Sequence, residues 1–332
     1  MRIKKDRLLA SIDIGSNTIR LLIAEVSRTG EIRELYSESR ITRLGEGISK
    51  GKGLDPRAIE RTVVALKIFK ESADRYHLEG LKAVATSAVR GASNKKAFLS
   101  VVKKEAGLVV DVLTGRQEAT QTLTGVLAGL RMVPPYCLVM DIGGGSTEFI
   151  LSKDDKAKAI VSLNFGVVPL TERFIKNDPV GRKDLKNLKD AVIGRIEEAK
   201  ERIRKTIRIK GKRDRNVGNI LPEGTMLIGT AGTITTLAAI DQGLERYSFS
   251  RVNNYILKKS SVEKIFSRLK TMTLEGRRNI PVLELGREDL ILPGSLILLE
   301  AMSHFGFREI LVSDYGLREG VLINLQKSLS KN

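Results

Sequence analysis

Two short stretches of the chain have nearly the same pattern, and they limit its fold more than any other feature. They are SIDIGSNTIRLLIA at residues 11–24 and VMDIGGGSTEFIL at residues 139–151. Each runs from apolar residues through Asp-Ile-Gly and a small-residue turn into further apolar residues. This pattern is typical of a β-hairpin with an acid near its tip. We expect two such loops to hold one phosphate chain from both sides.

The composition is that of a soluble globular protein, and the length favours two domains. The 332 residues are 42% apolar and 29% charged, enough to bury substantial cores. The formal net charge is +18, from 57 Lys and Arg against 39 Asp and Glu. Such a charge attracts anions, among them nucleic acid, anionic lipid and polyphosphate, but a solvated basic surface explains it equally well. Charge alone leaves the partner open.

Cysteine, histidine and hydropathy exclude several classes of protein. Cys137 is the only cysteine, so no intrachain disulfide forms, and its YCLVMD setting predicts a buried strand position in a cytoplasmic protein. No stretch approaches the ~18 apolar residues of a membrane span, so we expect neither secretion nor membrane insertion. The two histidines, His77 and His304, fit no zinc-ligand or Ser-His-Asp pattern. Acid–base and metal chemistry must therefore rest on carboxylates.

Hydrophobic spacing predicts a long amphipathic helix in each half of the chain. Asp55 and Pro56 form an N-cap and first-turn signature, followed by apolar residues at helical spacing from Ile59 to Ala73. The second helix is predicted from about Lys183 to Ile209. Its end is basic, with nine Lys and Arg between residues 200 and 215. This run favours a solvated helix face, with a polyanion track as the alternative.

Two further helices begin with features of a site. TMLIGTAGTITTLAAI, residues 225–240, predicts a strand, a Gly-rich loop and a helix whose first amides can approach an anion. Tight helix packing requires small residues too, so this loop alone assigns no ligand. Another helix is predicted to begin near Glu118 and to end before Pro134. An acid in that position often serves only as a cap or dipole partner.

The two hairpins have the chemistry of a phosphate and metal site. Residues 15–18 offer backbone and side-chain donors, and the glycines at 143–145 remove every Cβ that would hold a phosphate away. Asp13 and Asp141 would then lie beside phosphates. Because carboxylates and phosphates repel each other, we expect a hard cation such as Mg²⁺ between them. Two ordinary Gly-rich turns are the alternative.

Eight segments spread over nearly the whole chain carry a family resemblance. They are DIGSNTIRLLI, RLGEGI, VATSAVRGASN, GRQEA, DIGGGSTEF, FGVVPLTERF, IGTAGTITTLAA and VSDYGLREG. In this order and spacing they resemble the Ppx/GppA family of exopolyphosphatases and guanosine pentaphosphate phosphohydrolases, within the actin, acetate kinase and Hsp70 superfamily. The resemblance implies an α/β fold of two ribonuclease-H-like domains around a cleft, residues 1–123 with 315–332 and residues 124–314. It also favours a homodimer.

The resemblance further implies a reaction and the residues that perform it. The terminal phosphate of inorganic polyphosphate or guanosine pentaphosphate would be hydrolysed, with Glu118 as the base that orients and deprotonates water. Asp141 and Glu148 would hold Mg²⁺, with Asp13 as a further contributor. The implied phosphate ligands are Ser16, Asn17, Thr18, Arg90, Gly143, Gly144, Gly145, Ser146 and Thr147. The implied nucleotide-side loop comprises Gly229, Thr230, Gly232 and Thr233.

Several positions depart from the family pattern. Gln117-Glu118-Ala119-Thr120 stands where Glu-Glu-Ala-Arg is common, which keeps the presumed base. Pro169 stands where Arg is common and Gly91 where Glu is common, so we expect altered phosphate contacts there. The role of Arg20 is also open between added charge at the site and a water-facing strand position. The chain resembles the short two-domain form of the family.

Two other functions stay open from the sequence. A kinase or ATPase of the same superfamily would share the fold. A non-catalytic sensor would bind polyphosphate or the guanosine alarmone and regulate a partner without releasing phosphate. Specific nucleic-acid binding is not expected, because the chain has no Trp and no aromatic residues interleaved with its basic run.

Overall fold

The computed structural model describes residues 6–48, 53–210 and 220–330, which form two units. Unit 1 comprises Met1–Ala128 and Tyr315–Asn332, and unit 2 comprises Gly129–Asp314. The boundary predicted at residues 123/124 falls inside a helix, Gly115–Ala128, and the units divide where that helix ends. A helix is a poor place for a boundary, because few contacts cross a true linker while a packed helix makes many.

Unit 1 contains a mixed five-stranded sheet in the order β3-β2-β1-β4-β5. Strands β1 to β3 pair antiparallel, and β4 and β5 continue parallel to β1. The strands are β1 Arg7–Ile14, β2 Thr18–Val26, β3 Ile32–Ile41, β4 Gly80–Ala85 and β5 Val110–Val112. The helices are α1 Pro56–Asp74, α2 Ser87–Gly91, α3 Lys95–Ala106, α4 Gly115–Ala128 and, from the second segment, α12 Leu317–Leu329.

Unit 2 contains a mixed six-stranded sheet in the order β10-β11-β9-β6-β7-β8. The strands are β6 Tyr136–Ile142, β7 Thr147–Lys153, β8 Lys156–Leu163, β9 Met226–Thr230, β10 Ile256–Lys258 and β11 Glu309–Val312. The helices are α5 Val167–Phe174, α6 Arg182–Lys210, α7 Ala231–Asp241, α8 Phe249–Val252, α9 Lys259–Leu269, α10 Leu274–Arg278 and α11 Ile291–Phe305.

The two sheets share one topology. In unit 2, β6 to β8 pair antiparallel, β9 runs parallel to β6, and β11 runs parallel to β9. This repeats the arrangement of β1 to β5 in unit 1, with β10 added antiparallel at the edge. The predicted α/β class with two similar domains is confirmed, and both predicted hairpins are present as β1–β2 and β6–β7.

The two long helices form as the sequence predicts. The Asp55 carboxylate accepts hydrogen bonds from the amides of Arg57 and Ala58 (2.8 and 3.3 Å), which caps α1. The predicted apolar stripe of α6 packs into the unit 2 core, and from Leu188 to Ile203 its members are buried. Cys137 is buried in β6, also as predicted. No helix among the described residues is long and apolar enough to cross a membrane.

The basic run after residue 200 falls partly outside the described residues. In the described part of the run, Arg202 pairs with Glu198, and Arg204 and Lys205 pair with Glu201. Each partner is one turn away on the same helix. These pairs fit the interpretation of a solvated helix face. The side chains of Arg208 and Lys210, and all of Lys212, Arg213 and Arg215, lie outside the described residues.

Candidate active site

The tip of the β1–β2 hairpin keeps its backbone amides available for an anion. Gly15 N donates to Thr18 O (3.2 Å) and closes the turn. The tip carbonyls are occupied from the following loop, where Gly45 N donates to Ser16 O (2.7 Å) and two further amides donate to Asn17 O. Within the described residues, nothing accepts from the amides of Ser16 and Asn17. A turn with capped carbonyls and open amides has the form of an anion site.

The tip of the β6–β7 hairpin has the same construction in unit 2. Gly143 N donates to Ser146 O (3.0 Å), and the first amides of α5 donate to the carbonyls of Gly143 and Gly144. Gly166 lies against this tip, because a Cβ added there would be 2.5 Å from Gly144 O and Gly145 N. In the described part of the chain, the amides of residues 144–146 and the Ser146 hydroxyl have no partner. These donors are therefore free for phosphate.

Thr147 differs from the other predicted phosphate ligands of this hairpin. Its hydroxyl donates to Phe165 O at 2.6 Å, and the residue is fully buried. The bond ties the first residue of β7 to the loop that carries Gly166. The Thr147 hydroxyl therefore donates its hydrogen bond within unit 2.

The two hairpins differ in what faces each acid. Asp13 pairs in register with Arg20 across β1 and β2, whereas Asp141 pairs with Glu148 across β6 and β7. Side chains in such positions lie on one face of the sheet, and like charges there repel each other. Unit 1 therefore supplies a counter-ion for its acid, while unit 2 sets two carboxylates side by side.

The carboxylate pair of unit 2 fits a magnesium ion. Glu148 is 1% exposed and accepts a hydrogen bond from Ser162 Oγ (2.8 Å), which orients it. No group of three or more His, Cys, Asp and Glu able to hold a metal occurs among the residues described. Mg²⁺ does not require one, because it is usually held by one or two carboxylates together with water and substrate phosphates. Asp141 and Glu148 provide oxygen ligands of that kind.

Asp13 lies in a different electrostatic environment. Its Oδ1 is out of contact with solvent and has no hydrogen-bond partner among the described residues. Burial raises the pKa of Asp13 to about 6, against the opposing effects of Arg20 and Arg318. Arg318 and Glu319 begin α12, where Glu319 Oε2 accepts from Gly316 N (2.7 Å). Both residues lie in the VSDYGLREG segment, and the sequence alone indicates no role for either.

The helix that carries Glu118 begins three residues earlier than predicted. Thr114 and Gln117 form a capping box, in which Gln117 N donates to Thr114 Oγ1 (3.2 Å) and Thr114 N donates to Gln117 Oε1 (2.9 Å). This Thr-x-x-Gln signal precedes the predicted start at Glu118. Because Thr114 and Gln117 cap the helix, the Glu118 carboxylate is not needed for capping.

Glu118 is instead bound to Arg90. Arg90 Nη1 donates to Glu118 Oε2 at 2.7 Å and to Leu113 O at 2.9 Å. The Glu118 side chain is only 9% exposed. At the other end of α2, the hydroxyl of Ser87 is 3.2 Å from that of Ser16. Helix α2 therefore connects the tip of the first hairpin to the presumed base within unit 1, and Ser87 is a contact that the sequence analysis did not identify.

The third Gly-rich segment is not a separate loop, because β9 ends at Thr230 and α7 begins at Ala231. A Cβ on Gly229 would be 2.5 Å from Ile310 Cδ1, so this glycine is explained by core packing. A Cβ on Gly232 would be 1.8 Å from Arg287 Nη1, so a guanidinium lies directly on this segment. Thr230 is buried, and Thr233 lies against Gly294 of α11. Arg287 is a cation at this predicted loop that the sequence analysis did not identify.

A comparison with known protein families shows which family this chain belongs to. The model of the Ppx/GppA phosphatase family matches residues 22–329. The chain belongs to this family. The match spans most of the residues placed above, from the second strand of the first hairpin to α12.

Several known proteins are similar to this Ppx/GppA chain over most of its length. Exopolyphosphatase 2 of Mycobacterium tuberculosis is 30% identical over 329 residues, which is 96% of this chain and 98% of that protein. A bifunctional 3-dehydroquinate synthase/phosphatase of Fusobacterium nucleatum is 33% identical over 319 residues. Those residues are 94% of this chain but only 45% of the Fusobacterium protein.

Solved structures of the family share the fold. The crystal structure of the Aquifex aeolicus Ppx/GppA family member is 34% identical, with a TM-score of 0.77, and covers 98% of this chain and 99% of that chain. An exopolyphosphatase from Cytophaga hutchinsonii is 27% identical with a TM-score of 0.84, covering 97% and 98% respectively. The chain therefore has the two-domain α/β fold of these structures, as its family resemblance implies.

Proposed function

We propose that this chain is a Mg²⁺-dependent phosphohydrolase that removes the terminal phosphate from inorganic polyphosphate, from guanosine pentaphosphate, or from both. The observation that carries the proposal is the continuous set of contacts in unit 1. Ser16 at the hairpin tip contacts Ser87, and Arg90 on the same short helix contacts Glu118. An anion-binding turn and a buried carboxylate are thus connected by one helix. The similarity to exopolyphosphatase 2 supports polyphosphate as the substrate class.

In the proposed reaction, Glu118 is the general base. It orients a water molecule in line with the terminal phosphoanhydride bond and takes one of its protons as the water oxygen attacks phosphorus. The bridging oxygen leaves with the shortened chain. The open amides of Ser16 and Asn17, and those of residues 144–146, donate to phosphate oxygens. Mg²⁺ held by Asp141 and Glu148 would offset the charge on these oxygens.

The charge of the whole chain supports a polyanionic substrate. A formal charge of +18 attracts polyphosphate over long distances and speeds its encounter with the protein. Added salt screens this attraction, so we expect the apparent affinity for long polyphosphate to fall as ionic strength rises.

The decisive experiment compares phosphate release from long-chain polyphosphate, guanosine pentaphosphate and ATP, each with Mg²⁺. Wild-type protein and Glu118→Gln are measured in parallel. Release from either of the first two substrates, reduced in the variant to a low residual rate, is the expected result and identifies the substrate. Preferred turnover of ATP with an acceptor would instead assign a kinase or ATPase of the same superfamily. Tight binding of polyphosphate or the alarmone without release would assign a non-catalytic sensor.

We also propose that the chain acts in the cytoplasm as a homodimer. The lone cysteine, buried in β6, fits a reducing compartment. Light scattering after size-exclusion chromatography tests the dimer, and a molar mass near 36.6 kDa would contradict it.

A further inference from the structure

The two terminal nitrogens of Arg90 are used unequally. Nη1 donates to both Glu118 Oε2 and Leu113 O. Nη2 is out of contact with solvent and has no hydrogen-bond partner among the described residues. Arginine and a carboxylate often pair through two parallel hydrogen bonds, which would use both nitrogens. Here the pair has a single hydrogen bond and one buried donor is left over.

A buried donor without a partner is costly. Leaving such a group unsatisfied costs about 1–3 kcal/mol, and more when it is charged. Structural pairs in this chain can carry the same cost, since Arg204 pairs with Glu201 and leaves its Nε without a partner among the described residues. What distinguishes Arg90 is its place beside Glu118, where an acceptor that reaches Nη2 during function would remove the cost.

The surroundings of Arg90 indicate the chemistry of that acceptor. Arg90 lies one helical turn from Ser87, and the Ser87 hydroxyl contacts Ser16 at the anion-binding tip of the first hairpin. An anion bound at this tip would therefore lie next to the short helix that carries the unused guanidinium nitrogen. Guanidinium groups bind phosphate oxygens through their planar fork of donors.

We propose that Arg90 is a positioning residue that holds the base and the terminal phosphate at a fixed separation, with Nη1 on Glu118 and Nη2 on a phosphate oxygen. This inference rests on the proposed function and deepens it. A guanidinium is rigid and planar, so its two acceptors are kept in a defined geometry. The water that Glu118 orients is then held in line with phosphorus without adjustment of either group. A phosphate contact alone, as the family resemblance implies, would leave Glu118 independent of Arg90.

The test is a double-mutant cycle in phosphate release from long-chain polyphosphate. Arg90→Gln and Arg90→Lys are measured in the wild-type and Glu118→Gln backgrounds, with kcat and KM determined separately. Arg116→Gln and Arg116→Lys are the matched controls, because Arg116 is exposed in the same turn as Glu118. Thermal unfolding of every variant checks folding, and Arg90→Lys keeps the charge if Arg90→Gln fails to fold.

We expect the effect of Arg90 substitutions on kcat to depend strongly on the presence of Glu118. Arg90→Gln should lower kcat by roughly 10²-fold in the wild-type background but by less than about threefold in the Glu118→Gln background, since acting through Glu118 makes the effects non-additive. Arg90→Lys should also lower kcat by about tenfold, because one ammonium cannot serve both acceptors in the required geometry. The Arg116 variants should change kcat by less than about twofold.

Two outcomes overturn the positioning role, and they differ. If wild-type protein releases phosphate but Arg90→Gln lowers kcat equally in both backgrounds, or raises KM alone, Arg90 acts independently of Glu118 and only this inference fails. If wild-type protein releases no phosphate from polyphosphate or guanosine pentaphosphate, the proposed function fails and the positioning role fails with it.

Discussion

Gly320 of α12 lies so close to α4 that a Cβ added to it would be 1.8 Å from the carbonyl oxygen of Gln121. The reverse contact is as tight, since a Cβ on Gly125 would be 1.9 Å from Gly316 O. Helix axes approach this closely only where neither helix carries a side chain at the crossing. Helix α4, which carries Glu118, is thus held in place by backbone contact with α12.

Gly320→Ala should therefore destabilise the protein. We expect the free energy of unfolding to fall by about 1–3 kcal/mol, because the added methyl group forces the two backbones apart. The measurement is urea denaturation. Gly194→Ala is the matched control, since Gly194 is exposed in α6 with open space around its Cα, and alanine there should stabilise by about 0.5–1 kcal/mol. Equal effects at the two positions would contradict the packing argument.

Removal of the acids of unit 2 should weaken metal binding more than removal of Asp13. Asp141→Asn and Glu148→Gln should each raise the Mg²⁺ concentration for half-maximal phosphate release by about tenfold or more, since each removes a carboxylate that we propose holds the ion, directly or through water. Asp13→Asn should change it less, because Arg20 and Arg318 lie near Asp13 and their positive charges repel a cation. Mn²⁺ binding by electron paramagnetic resonance provides a readout independent of turnover. A larger effect at Asp13 would place the metal in unit 1.

The stability of the metal-free protein should depend on pH through Asp13. Its pKa rises from 3.8 to about 6 on folding, so the folded state binds the proton more tightly than the unfolded state. That contribution is complete below about pH 4 and is lost as the pH rises through about 6. Relative to Asp13→Asn, the wild type should lose on the order of 2 kcal/mol across this window. Urea denaturation in EDTA at pH 4.5 and 7.5 measures the difference, and a constant difference would refute the assignment.

Two neighbouring hydroxyls should have separable roles. Ser146→Ala should raise KM and leave the free energy of unfolding within about 0.5 kcal/mol, because the Ser146 hydroxyl makes no hydrogen bond to the described residues. Thr147→Val should do the opposite, lowering stability by about 1 kcal/mol through loss of its bond to Phe165 O. Steady-state kinetics and chemical denaturation of both variants are sufficient. If both variants changed KM and the free energy of unfolding alike, the two hydroxyls would not have separate roles.

Features set by local sequence could be predicted well. Both hairpins follow from alternating apolar residues around Gly-rich turns, and α1 follows from the Asp55 cap and its apolar stripe. The predicted start of α4 is three residues late, although the Thr-x-x-Gln capping box that begins the helix is a local signal.

Contacts between distant residues could not be predicted from pattern alone. The bond between Arg90 and Glu118 spans 28 positions, and the contact between Gly320 and Gln121 spans nearly two hundred. Nothing in the local sequence indicates that Arg287 lies against Gly232, because Gly232 is in the first turn of α7 and Arg287 precedes α11. Such pairs are decided by tertiary packing, which hydrophobic periodicity does not encode.

The place of α12 in unit 1 has a consequence for synthesis on the ribosome. Leu322 of this helix completes a core with Leu9, Leu22 and Val26, so these early residues stay uncovered until α12 emerges. By then every residue of unit 2, which is one continuous segment, has already been made. Domains usually fold in the order of their synthesis. Here the second unit along the chain is the first that can finish folding, and the first unit must wait for the last helix.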